Sequence, residues 1–203
     1  MRLVLRLKAP RRILKWPQRI LFAGAAAMLG YCAFAWIDTA AFQQSESRQL
    51  ERLLADARPV ASPTPPEALP VAAGGLLGRI EIPRLGISAV VIEGTGRTTL
   101  RRAVGHVSGT AVPGEPGNVG ISGHRDTFFR PLRNIRQDDI VTVTTLRGEY
   151  RYQVISTKIV APSDVAVLDP TGGETLTLIT CYPFYFVGAA PDRFIVQAER
   201  IIR

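Results

Sequence analysis

From Ile20 to Ile37 the chain reads ILFAGAAAMLGYCAFAWI, with no charged side chain. As a helix this stretch rises about 27 Å, close to the roughly 30 Å of a bilayer's hydrocarbon core. Beyond it the pattern changes twice. Phe42 to Arg58 is polar, with Leu50, Leu53 and Leu54 at helical spacing, and predicts a short helix or stalk. RPVASPTPPEALPVAAGG then carries Pro59, Pro63, Pro65, Pro66 and Pro70, the composition of a stiff, extended linker. From Leu76 onward alternation takes over. LGRIEIP, SAVVIEG, NVGISGH, DIVTVTTL, EYRYQVISTKIVA, TLTLITCY and RFIVQAERII read as strands. TTLRRAVGHV predicts a short helix capped by Thr98 or Thr99, and FFRPLRNI a helical turn limited by Pro131. Arg147-Gly148 marks a hairpin. Seven or eight strands with little helix in about 125 residues predict a mainly β domain, a closed or nearly closed barrel.

Charge changes the picture at the N-terminus. The net charge is +8, but seven of the 25 basic residues fall in the first 19 positions and no acidic residue precedes Asp38. The remaining chain is nearly neutral, whereas a nucleic-acid binder carries its excess on the folded domain. The basic flank and the absence of a polar face argue against a buried core helix. The favoured reading is a single-pass anchor with Trp16 and Trp36 at its interfaces, the N-terminus cytoplasmic and the rest outside. Ala33-Phe34-Ala35 keeps a cleaved signal peptide open as the alternative. The expected organisation is a basic cytoplasmic tail (1–19), a transmembrane anchor (20–37), a helical and proline-rich stalk (38–75) and an extracytoplasmic domain (76–203).

There are two cysteines and two histidines. Cys32 falls within the anchor and Cys181 in the outer domain, so they are not expected to pair. A lone thiol in an oxidising compartment is a candidate reactive group. Parity in TLTLITC puts Leu176, Leu178 and Thr180 on one face and Thr177, Ile179 and Cys181 on the other. A thiol nucleophile needs a base or cation and a donor for the oxyanion. His124 stands at a strand-to-loop junction, His106 after a short helix, and Arg193 opens the last strand. If the strands of Cys181 and Arg193 are antiparallel neighbours, one rim holds both. A buried, inert Cys181 and a solvated Arg193 are the plainer alternatives. Asp126 either orients His124 or caps the turn after it. Tyr182, Phe184, Tyr185 and Phe186 either wall a groove or pack a loop onto the barrel. Pro113, Gly114, Gly117 and Asn118 set a turn. One cysteine and two scattered histidines lack the close ligand pairs of a zinc site, and no metal or cofactor is expected.

TLITC (Thr177 to Cys181), the following APDRF with Arg193, and the upstream block GTAVPGEPGNVGISGHRDTFF (Gly109 to Phe129) together resemble the sortases, membrane-anchored cysteine transpeptidases. The CYPFYFVGAAPDRFIV tail is most like class D. The resemblance spans roughly Leu76 to Ile201. It implies an eight-stranded sortase-type barrel with short helices behind one transmembrane helix. It also implies Cys181 as nucleophile, His124 as catalytic histidine, Arg193 as the arginine steadying the carbonyl and oxyanion, and Thr180 as a groove-lining, substrate-binding residue. His106 falls to a structural role. The implied partners are secreted proteins with a C-terminal Leu-Pro-x-Thr-like sorting signal and an amine acceptor on the cell wall or another protein. The implied location is the bacterial plasma membrane. The competing functions are a non-catalytic sortase-like binding module and an L,D-transpeptidase-like peptidoglycan enzyme. The latter calls for a Ser-x-Gly-Cys type motif where this chain has Ile179-Thr180-Cys181.

Overall fold

The structure is a computed structural model and describes residues 15–56, 72–185 and 188–202. The first part of the basic tail, most of the proline-rich linker, and Phe186 of the aromatic run lie outside the described residues. The chain divides into two units, Met1–Ala40 and Ala41–Arg203. The division falls within one helix, α1 (Lys15–Asp56, 42 residues).

In the first unit α1 is long and apolar enough to cross a membrane, and none of its apolar window is buried. Phe22, Phe34 and Trp36 are all exposed. Apolar side chains on every face, uncovered among the described residues, are what a lipid-facing helix requires.

The second unit is an eight-stranded closed barrel. Its strands are β1 (Leu76–Ile82), β2 (Ile87–Glu93), β3 (Val104–His106), β4 (Gly117–Ser122), β5 (Ile140–Thr145), β6 (Gly148–Val160), β7 (Glu174–Tyr182) and β8 (Asp192–Arg200). They close in the order β1-β2-β3-β4-β7-β8-β6-β5. The expected eight-stranded barrel is thus the fold. The alternation that predicted it is visible as burial: Val141, Val143 and Thr145 of β5 are buried and their neighbours half-buried. Ile80, Ile82, Val91, Val119, Ile121, Leu176, Leu178 and Val196 fill the interior. β2–β3 and β4–β7 are parallel pairs. Short 3₁₀ turns sit at Pro83–Leu85, Arg130–Asn134 and Val165–Leu168.

The second half of α1 packs against the barrel. Phe42 covers Val90, Ile92 and Ala103, and Leu50 is fully buried. The Gln43 side chain donates to the Arg102 carbonyl at 2.6 Å and accepts from the Val90 amide at 3.0 Å. Arg79 reaches Glu51 at 3.4 Å. Of the leucines that predicted this helix, Leu50 is docked, Leu54 is half-buried and Leu53 is exposed. The helix α2 (Arg97–Arg102) differs from expectation at its cap. Gly96 in extended backbone holds the N-cap position without a side-chain bond, and Thr98 and Thr99 lie inside the helix. A cap needs the non-helical backbone that precedes the first turn, and glycine is accepted there.

One ion pair, between buried Asp139 and solvent-exposed Arg84, ties the turn at Pro83–Leu85 to the start of β5. Arg84 forks onto both oxygens of Asp139, Asp139 accepts from the Arg136 amide at 2.7 Å, and Arg84 also donates to the Asn134 carbonyl at 2.7 Å. The hydrogen bond from Arg84, helped by the Arg136 amide, outweighs burial and holds the Asp139 carboxyl below the usual carboxylate range. A depressed carboxylate stabilises the fold above its unfolded pKa, and the contribution is lost as pH falls through the lowered folded value. Asp139→Ala is expected to cost about 1 kcal/mol at pH 7, because it removes a charge-assisted pair whose arginine is partly open to solvent. The deficit should shrink toward pH 3 in urea titrations at both pH values. An equal deficit at both would show that the charge is not what stabilises this corner.

Candidate active site

β4, β7 and β8 lie side by side, and their ends share one rim. β4 and β7 run parallel, with Ser122 opposite Ile179. β7 and β8 run antiparallel, with Cys181 opposite Arg193. Inward positions Leu176, Leu178 and Thr180 are buried, while Ile179 and Cys181, on the other face, are half-buried. Cys181 and Arg193 occupy opposed positions of one ladder, so their side chains leave the same face of the sheet. Cys181 is a free thiol.

His124 follows β4 by one residue, Gly123. The Gly123 amide donates to the Ile179 carbonyl at 3.0 Å, extending the ladder toward the histidine. A side chain on Gly123 would meet the Phe129 ring at 2.7 Å, so glycine is what lets the turn close over this core phenylalanine. The His124 carbonyl accepts from Phe129 at 3.2 Å and Thr127 at 3.4 Å. The imidazole is exposed, but its backbone is fixed from below.

Thr180 is 2% exposed and donates its hydroxyl to the Gly123 carbonyl at 2.8 Å. It was expected to line the groove. It sits on the inner face of β7, and this bond ties β7 to the residue that precedes His124. Arg193 is half-buried, with Nη1 donating to the carbonyls of Asp192 at 2.9 Å and Ala190 at 3.4 Å. His106 stands apart. It is buried, with Nδ1 2.6 Å from Glu93 and Nε2 2.9 Å from the Ala111 carbonyl. One ring nitrogen is taken up by the end of β2 and the other by the loop after β3.

Asp126 caps nothing. The 3₁₀ turn at Arg130–Asn134 starts from Phe129 without a side-chain bond. Asp126 instead faces Arg125, which grips it with Nε at 3.1 Å and Nη2 at 2.9 Å. This hydrogen bonding is the main cause holding the Asp126 carboxyl low, with smaller contributions from Arg125, Arg130 and His124 charges. Asn118, read as a turn residue, accepts from Thr177 at 2.8 Å and donates to the carbonyls of Val167 at 3.0 Å and Asp169 at 3.3 Å. It pins the loop between β6 and β7 to the barrel. The aromatic run divides. Phe184 packs on the core with Phe194, Tyr182 touches both rings, and Tyr185 is exposed beside Arg133.

A family model described as a sortase domain matches residues 80–201, more than half of the chain. The chain belongs to the sortase family. It is 36% identical over 129 residues to Sortase D of Bacillus subtilis (strain 168), covering 63% of this chain and 65% of that protein. It is 31% identical over 110 residues to Sortase A of Listeria monocytogenes, covering 52% of this chain and 49% of that protein. The chain thus spans about two thirds or less of the curated sortases it matches. Among solved structures it resembles a Clostridium perfringens Sortase D5 transpeptidase, with a TM-score of 0.60 and 31% identity over 65% of this chain and 82% of that one. It also resembles the SrtA sortase of Actinomyces oris, with a TM-score of 0.60 and 29% identity over 69% of this chain and 87% of that one. The class D likeness of the cysteine tail therefore has counterparts in both sequence and structure. The sortase match covers β4, β7 and β8, the strands that form the rim described above.

Proposed function

We propose that this sortase is a membrane-anchored cysteine transpeptidase that cleaves a C-terminal Leu-Pro-x-Thr-like sorting signal and transfers the protein to an amine. The observation that carries the reading is the register of Cys181 opposite Arg193, with His124 at the end of the parallel neighbour. In this reading the Cys181 thiolate attacks the threonine carbonyl and a C–S bond forms. Arg193 steadies the oxyanion. The C–N bond then breaks as His124 gives its proton to the departing amine. The thioester left on Cys181 is attacked by an acceptor amine, from which His124 takes a proton. The C–S bond breaks and the thiolate is restored. The acceptor is an amine on the cell wall or on another protein. Residues 20–37 of α1 are the single-pass anchor in the bacterial plasma membrane, with the basic flank cytoplasmic and the barrel outside.

The test uses the full chain in detergent with a Leu-Pro-x-Thr-x peptide library and triglycine, read by mass spectrometry. The expected products are peptides cut after threonine and carrying triglycine, with a thioester mass adduct on the protein. Folded protein giving neither adduct nor product across the library would sink the transpeptidase reading. A non-catalytic binding module would then take its place.

A further inference from the structure

We propose that Arg125 is a positioning residue that fastens the His124 loop to the end of the Cys181 strand. The proposal rests on the reading of Cys181 and His124 as the reacting pair. Arg125 is only 7% exposed, although its neighbours His124 and Asp126 are both exposed. An arginine is rarely so buried unless its donors are engaged. Here the guanidinium holds two segments far apart in sequence. Nε and Nη2 fork onto Asp126 in its own loop, and Nη1 donates to the Pro183 carbonyl at 2.7 Å. Pro183 stands two residues beyond Cys181, where β7 has just ended.

The bridge therefore crosses from the segment carrying the imidazole to the segment carrying the thiol. Below it the Gly123 amide bonds Ile179 and the Thr180 hydroxyl bonds the Gly123 carbonyl. Those bonds fix the two strands at the base of the rim. Beyond them, Arg125 to Pro183 is a side-chain bond that spans the mouth. The arginine is held as a cation first by its hydrogen bonds to Asp126, against burial, and to a lesser degree by negative charge on Asp126 and Cys181. Its donors set the spacing between the two segments. Arg193 acts from the opposite side, on β8.

Loss of the bridge should affect steps that need thiol and imidazole together. In full-length protein in detergent, with Cys181 counted by iodoacetamide labelling and peptide mass spectrometry that separates it from Cys32, Arg125→Met is expected to lower kcat about 30-fold or more with KM within about threefold. Arg125→Lys and Arg125→Gln each keep a donor able to reach Pro183, and should recover part of kcat. A merely structural arginine would lower the melting temperature and the titratable fraction without changing kcat per titrated site. Wild-type kcat in Arg125→Met, a loss confined to KM, or no recovery in either donor variant would overturn the clamp. If Arg125→Met does not fold, Asp126→Ala decides. It frees the outer side of the guanidinium and should lower kcat about fivefold at constant KM, and an unchanged kcat there would overturn the proposal. A wild-type chain that forms no thioester defeats the transpeptidase reading instead, a result distinct from an active Arg125→Met.

Discussion

Cys181→Ala is expected to abolish transfer of the sorting peptide, a loss of roughly 10⁴-fold or more, with no thioester adduct. The size follows from the chemistry, because a covalent route has no substitute for its nucleophile. The fold should be nearly indifferent. Cys181 is half-buried one residue before the end of β7, its ladder bonds to β8 are backbone bonds, and alanine leaves no buried polar group unpaired. His124→Ala should cost about 10²–10⁴-fold, the usual worth of a positioned acid–base group. Its imidazole is exposed while its backbone is secured by Phe129, so the melting temperature should hold. Peptide transfer and adduct formation by mass spectrometry, beside thermal melts, separate the two effects. Transfer above about 1% of wild type in Cys181→Ala would place the nucleophile elsewhere.

Much of this site was legible because strands report their faces. Parity alone divided Leu176, Leu178 and Thr180 from Thr177, Ile179 and Cys181, and the burial along β7 follows that division at every one of these positions but Thr177, which the loop pinned by Asn118 covers. The one conditional step, that β7 and β8 are antiparallel neighbours, follows from their short connection and is met by the Cys181–Arg193 register. What periodicity does not carry is the partner of a polar side chain. Thr180 was placed on the correct face but not given its bond to Gly123, which comes from a strand 57 residues away. Asn118 resembled a turn residue because the loop it holds follows far behind it, at Val167 and Asp169. Arg125 stood between a candidate histidine and an acid, a setting that reads as a solvated charge. Only the closing of β4 against β7 brings the Pro183 carbonyl to it. The helix after Ala41 was predicted from its leucines, but nothing in that pattern named Val90, Ile92 and Ala103 as the surface it covers.

Arg193→Ala is expected to lower kcat by about 10²–10³-fold with a smaller change in KM, the range found when one oxyanion donor is removed. The geometry explains why lysine should not replace it. Nη1 is already bound to the carbonyls of Asp192 and Ala190, while Nε and Nη2 have no partner among the described residues. The guanidinium can hold its own loop and still present donors on the face that Cys181 shares, because its five N–H groups diverge in a rigid plane. An ammonium at the same place must choose between the loop carbonyls and the oxyanion. Arg193→Lys should therefore keep the charge and still fall about tenfold or more. Single-turnover acylation and steady-state transfer, measured on both variants, decide the matter. Lysine equal to wild type would mean that charge alone suffices. Alanine equal to wild type would move oxyanion stabilisation off β8 altogether.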